Sequence, residues 1–322
     1  MASEQTPPGV PDEHPDIPGS RIRLIALRGS PAAAAIRKAR AVHGDGRMED
    51  PGRSQVGSRV DEAGESVPKG EEAAAPCLED GEEGELVLRI VEDVANSGPA
   101  GRVWDASIVL AEHLLGRFGT RGLANCSAIE LGAGAGLPGI VAAMQGARVI
   151  LTDKAFVLPL LDANASLNTP EHVAHGLLWA EPIEWGQRLR KGMRRHPPDL
   201  LLASDVVGCG DEALFPGLIK SMTQLAGPGS TLLMAYKPRA RFEVEFFRQA
   251  EEHFDITLLE RRVPASLHED VLREAYAAPI DVLQFTPRLF PPEEALSHLR
   301  PEAGLSRLCP EAGLSGEGRG GR

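Results

Sequence analysis

The densest cluster of chemistry-bearing residues runs Ala-Ile-Glu130-Leu-Gly132-Ala133-Gly134-Ala-Gly136-Leu-Pro-Gly139-Ile, an apolar run closed by an acid, then glycines, then a helix-like segment. Glycine lets backbone N–H groups approach a ligand closely, and the start of a helix adds partial positive charge suited to an anionic group. A tight strand-to-helix turn alone needs one or two glycines, whereas this loop spends four. A nucleotide-like ligand is implied. Asp153 closes the next apolar run, where a carboxylate can accept hydrogen bonds from two ribose hydroxyls.

Two templates fit the glycines. Gly134-x-Gly136-x-x-Gly139 reads as a dinucleotide fingerprint, and Glu130-x-Gly132-x-Gly134-x-Gly136 as the first motif of S-adenosylmethionine (AdoMet) methyltransferases. Both want an acid at Asp153, so that residue does not name the cofactor. Glu130 separates them better: a carboxylate at the strand's end can hold the amino group of AdoMet and would oppose a pyrophosphate. No plausible hydride-transfer constellation of His or Tyr follows Asp153, which leaves a nicotinamide oxidoreductase behind.

These residues need a scaffold, and the middle of the chain supplies an alternation of strands and helices. Glu85 to Val91 alternates like a strand, and Asp105 to Phe118 places Val109, Leu110, His113 and Leu114 on one helical face. Then come a strand at Ala128–Leu131, the glycine loop, a helix from Pro138, a strand at Arg148–Asp153 and a helix over Phe156–Asn168. Further apolar runs at 176–179, 199–203 and 230–235 are separated by helical segments at 211–226 and 241–253. Continuous apolar runs mark strands buried on both faces. The fold expected is therefore α/β: a Rossmann-like, doubly wound, mostly parallel sheet of seven strands. Strand candidates at 255–259 and 281–286, with a helix-like stretch at 266–276 between them, would form a C-terminal antiparallel hairpin.

The ends read differently. The chain has 35 Gly and 26 Pro against 9 Phe, 3 Trp and 2 Tyr, and its net charge of −12 repels phosphate backbones and anionic membranes. Residues 1–84 are expected to be mostly disordered, with Arg21 to Leu27 the one stretch that alternates like a strand. Residues 85–290 form the expected domain, and 291–322, which repeat Pro-Glu-Ala-Gly-Leu-Ser at 301–306 and 310–315, a low-complexity tail. No apolar run reaches the roughly 20 residues of a membrane span. Cys77, Cys126, Cys209 and Cys309 form neither a zinc pattern nor a disulfide framework, which fits the cytoplasm, an organelle being the alternative. His172 and His175 lack acids at metal spacing, so no metal is expected, and the basic run Arg188 to His196 reads as a solvated linker.

Six segments in order resemble methyltransferase family 16, the seven-β-strand enzymes that include protein-lysine methyltransferases: Val103-Trp104-Asp105-Ala106, the glycine loop, Leu151-Thr-Asp153, Asn164, Ile183-Glu-Trp185-Gly186 and Leu201-Leu-Ala-Ser204-Asp205-Val-Val207. The resemblance implies AdoMet as cofactor, a protein substrate and a monomer. It places Trp104 at the cofactor's methionine end, Gly132, Ala133 and Gly134 beneath it, Asp153 on the ribose, Trp185 beside the adenine and Ser204 in the site wall. Trp179 competes with Trp185 for the adenine.

Methyl transfer from a sulfonium depends mainly on holding a neutral nucleophile in line. Lysine-modifying members of the family carry Asp-x-x-Tyr or Asp-x-x-Phe after the fourth strand, the acid facing the acceptor amine and the ring walling the channel. This chain has Asp205-Val-Val-Gly208: it keeps the acid, which makes Asp205 the catalytic candidate, and lacks the ring. Phe215 and Tyr236 are the substitutes nearest by topology, and capping of the following segment is the plainer role for Asp205. The functional expectation is an AdoMet-dependent protein-lysine methyltransferase. The alternatives are a methyltransferase for a small molecule or another residue, and a binding protein that kept the fold without turnover.

Overall fold

The computed structural model describes residues 14–27, 86–209, 211–262 and 278–288. Within them lies a seven-stranded sheet of order β5-β4-β3-β6-β7-β9-β8. Its members are β3 (Ser127–Leu131), β4 (Arg148–Asp153), β5 (Leu178–Pro182), β6 (Leu200–Ser204), β7 (Thr231–Tyr236), β8 (Phe254–Arg262) and β9 (Ile280–Pro287). The first five are parallel, and β9 pairs antiparallel with both β7 and β8, as the sequence led us to expect. Strand order reverses between β4 and β6, on either side of β3. At such a switch point the loops leaving the carboxyl ends diverge and open a crevice.

Alternate residues of each central strand feed opposite cores. Leu200 and Leu202 of β6 join one cluster, and Leu201 and Ala203 the other. Helices α1 (Asp105–Phe118), α2 (Leu137–Met144) and α3 (Leu158–Asn168) cover the first face through Leu110, Leu114, Val141 and Leu161. Helices α4 (Phe215–Leu225) and α5 (Val244–Ala250) cover the second with Phe215, Leu218, Met222 and Phe246.

The expected domain boundary at residue 85 needs correction. Strand β1 (Arg21–Leu27) pairs antiparallel with β2 (Leu86–Glu92) over seven residues, from Arg21 opposite Glu92 to Leu27 opposite Leu86. Ile25 and Leu27 of β1 are buried in the core that α1 and α2 share. Burying one such side chain contributes about 1.5–3 kcal/mol, so the alternation of RIRLIAL reports a docked strand. The folded unit thus includes residues on both sides of the boundary.

The other edge of β2 is completed by side chains. Asn164 of α3, fully buried, accepts from the Val91 N–H at 2.7 Å and donates to its carbonyl at 3.1 Å. Asn168, one turn on, treats Arg89 in the same way, at 3.1 and 2.7 Å. Two amides at i and i+4 so imitate a neighbouring strand and satisfy backbone groups that would otherwise be buried unpaired.

Cys126 is disulfide-bonded, contrary to the expectation of no disulfide. Cys77, Cys309, the helix-like stretch at 266–276 and the hexapeptide repeat lie outside the described residues. No helix among the described residues is long and apolar enough to cross a membrane.

Candidate active site at the switch point

A cavity of about 530 Å³ opens at the carboxyl ends of β3, β4 and β6. Its wall includes Trp104, the whole loop from Gly132 to Leu137, Asp153, Trp185, Ser204 and Asp205. The sequence assigned most of these residues to one site, and the fold brings them together from five separate segments.

The loop closes tightly because its glycines have positive φ: +61° at Gly132, +56° at Gly134 and +80° at Gly136. A Cβ on Gly132 would meet the Trp185 ring and the Val206 side chain, each at 2.9 Å, and one on Gly134 would meet the Ala100 carbonyl oxygen at 2.9 Å. Any larger residue would push the wall apart or fill the cavity. Beyond Gly136 the chain turns into α2, whose first N–H groups have no partner within the helix.

Asp153 stands at the end of β4 with its two oxygens divided. Oδ2 accepts from the Gly134 N–H at 2.8 Å and Oδ1 from the Lys154 N–H at 2.7 Å. Burial raises its pKa above the ordinary value, and those two N–H bonds oppose the shift. Each oxygen can accept again, so paired hydroxyls are a matching ligand.

Glu130 does not take the place expected of it. Its side chain is fully buried beneath the loop, where Oε2 accepts from the Gly139 N–H at 2.9 Å, and it is not part of the cavity wall. Oε1 is buried without a hydrogen-bond partner. Burial pushes this carboxyl up to about 8, with the Gly139 N–H opposing and the charge of Asp153 adding. The strand continues to Leu131, so position 130 turns inward and the loop begins beyond it. Glu130 therefore supports the loop from below.

The tryptophans separate cleanly. Trp185 lines the cavity against Gly132, while Trp179 lies outside the wall, its Nε1 donating to Glu181 at 2.8 Å and its ring beneath the Arg148 guanidinium. Trp104, at the start of α1, donates from Nε1 to the Pro99 carbonyl at 2.9 Å. The guanidinium carbons of Arg102 and Arg239 each lie 5.5 Å from its ring centroid.

Asp205 follows β6 with φ of +61°, unusual for a residue with a side chain, and its N–H bonds the Ala235 carbonyl at 3.0 Å. Its carboxylate does not cap the next segment; Arg239 holds it from beyond β7, Nη1 to Oδ1 and Nη2 to Oδ2, both at 2.5 Å. Neither substitute proposed for the missing ring reaches the cavity wall. Phe215 is core, stacked on Phe242 and edge-on to Phe246, and Tyr236 is buried with its hydroxyl donating to Glu243 at 2.6 Å. Arg239, which does line the cavity, is a site residue that sequence reasoning missed, as are Arg102 and Glu184. The parallel pairing of Ser204 with Ala235 was the available signal, since it brings the segments after β6 and β7 side by side. No cluster of three metal-ligating side chains occurs among the described residues.

Comparison with known proteins agrees with this geometry. Residues 82–253 match the family described as lysine methyltransferase. The chain is 35% identical over 170 residues to the mouse (Mus musculus) protein N-lysine methyltransferase METTL21A, covering 53% of this chain and 75% of the relative. It is 32% identical over 190 residues to the protein-lysine N-methyltransferase EFM6 of Saccharomyces cerevisiae, covering 52% and 76%. With the mouse EEF1A lysine methyltransferase 3 it shares 36% identity over 169 residues, covering 51% and 68%.

Proposed function

The chain belongs to the lysine methyltransferase family, and we propose that its switch-point cavity lays AdoMet along the glycine loop and turns the donor methyl towards an acceptor lysine at Asp205. It is an AdoMet-dependent methyltransferase that acts on protein lysine. When bound, the cofactor supplies a methyl group already activated on a sulfonium. The protein's own task is to bind, orient and exclude water.

The observation that carries this assignment is one cavity holding both functions: a loop whose Cβ positions are already occupied space, an acid on β4 with spare acceptor capacity, and a second acid after β6. Gly132, Ala133, Gly134 and Gly136 let the backbone approach the cofactor, and Asp153 accepts from its ribose. Trp185 borders the adenine, Trp104 the methionine end, and Ser204 the wall between them. Asp205 accepts from the acceptor amine and holds it in line. The amine, of free pKa about 10.4, must arrive neutral, which a partly desolvated channel favours. Its net charge of −12 disfavours nucleic-acid and anionic membrane partners.

The test pairs calorimetry with transfer of a tritiated methyl group to a desalted cell-protein extract, methyl-lysine being counted after acid hydrolysis. Binding of AdoMet, label in methyl-lysine, and loss of transfer in Asp205→Asn with AdoMet affinity within a few-fold are expected. No heat with AdoMet, or label confined to other residues, would overturn the proposal.

A further inference from the structure

We propose that Arg239 is the positioning residue that replaces the absent aromatic wall at Gly208: its guanidinium fills that space, closes the acceptor side of the cavity and fixes Asp205. The proposal rests on Asp205 being the acceptor-side acid. Gly208 sits in a helical turn, Val207–Cys209, just after that residue. A Cβ built on Gly208 would lie 2.2 Å from Arg239 Nη1 and 3.2 Å from its Cζ. The room gained by omitting a ring is therefore occupied by a planar cation from the neighbouring strand's loop.

That cation is held on several sides. Its fork grips both oxygens of Asp205, Nη1 also donates to the Lys237 carbonyl at 3.2 Å, and its Cζ lies over the Trp104 ring, 5.5 Å from the centroid. The Arg239 backbone N–H donates at 2.9 Å to Glu243, whose buried carboxylate also takes the Tyr236 hydroxyl. An end-on fork of this kind fixes a carboxylate in plane and direction, which an ammonium cannot do. Asp205 needs such a hold, because its backbone lies in the left-handed region that residues with a Cβ enter at a cost. The fork uses two of the roughly four lone-pair positions of the carboxylate and leaves the others for an acceptor amine. Arg239 keeps 32% of its side-chain surface exposed and Asp205 7%, so an incoming lysine meets the guanidinium as the channel wall.

The experiment is a double-mutant cycle read in two independent ways. Gly208→Phe, Arg239→Ala and the double variant are compared with the wild type by chemical denaturation, without cofactor. Gly208→Phe should destabilise the wild-type background and have a much smaller effect once Arg239 is gone, since the ring then takes the vacated space. In the methyl-lysine assay, Arg239→Ala and Arg239→Lys should each lose tenfold or more in kcat, with AdoMet affinity by calorimetry within twofold of wild type. The double variant regains a wall but not the hold on Asp205, so it should recover only part of the lost kcat and stay below wild type. Additive stability effects, wild-type turnover in Arg239→Ala, or full rescue by Arg239→Lys would overturn the proposal. A wild type that binds AdoMet yet labels no lysine would overturn the acceptor role of Asp205 instead, and the denaturation cycle would still decide whether Arg239 fills the space at Gly208.

Discussion

Glu130→Gln isolates the buried carboxyl beneath the glycine loop. In the unfolded chain this group ionises near its ordinary value of 4.5, whereas in the folded protein burial moves it to about 8. Between those values the folded state holds a proton that the unfolded state has released. Stability must therefore fall as pH rises through that window, by about 1.4 kcal/mol per unit for this one group, and level off above about 8. Glutamine keeps an oxygen to accept from the Gly139 N–H and has no charge to desolvate, so it removes the slope. Urea denaturation at pH 5.5, 6.5, 7.5 and 8.5, with wild type and variant side by side, cancels the titrating groups that do not interact with Glu130 and leaves its own contribution and its coupling to Asp153. The variant should gain on the wild type by about 1.4 kcal/mol for each unit from 5.5 to 7.5, reaching several kcal/mol at 8.5. Parallel curves would refute the reasoning and mean that Glu130 is ionised and solvated, as the direct amino-group ligand expected from the sequence would be.

Asp153→Ala should weaken AdoMet binding by about 1.5–3 kcal/mol for each hydrogen bond lost to the carboxylate, and calorimetry on the folded variant measures it. Trp185→Ala should lower AdoMet affinity at least tenfold, while Trp179→Ala, outside the cavity wall, should leave it within twofold. Gly134→Ala must place a methyl 2.9 Å from the Ala100 carbonyl at φ +56°, so both the unfolding midpoint and cofactor affinity should drop. Leu27→Ala should cost about 2–5 kcal/mol by denaturation, since that β1 side chain is fully buried; a silent result would mean that β1 does not dock.

The sheet was legible because its central strands are buried on both faces, so that each writes a continuous apolar run. The glycine loop was legible because positive φ and close contact leave a compositional trace. What stayed hidden depends on pairing across the fold. β1 alternates visibly, yet nothing local says that Leu86 to Glu92 is its partner. Asn164 entered the sequence reading only as a family position and Asn168 only as the end of a helix, and the role of both emerges when β2 lies beside them. Glu130 has the right type and spacing for a ligand, but strand parity turns it inward.

The acceptor side extends the point. A motif read along the chain registers Gly208 as a loss, because the comparison is made within one loop. In a parallel sheet, however, the loops after adjacent strands share one rim, and here the register aligns Ser204 with Ala235. The residue that compensates for position 208 is thus to be sought just after β7, in Lys237-Pro-Arg239, and not elsewhere in its own loop. Lys237 is committed to Asp105 of α1 at 3.0 Å, which leaves Arg239 to reach across to Asp205. A deviation in a family motif is therefore best judged against the neighbouring strand's loop before it is taken as loss of function.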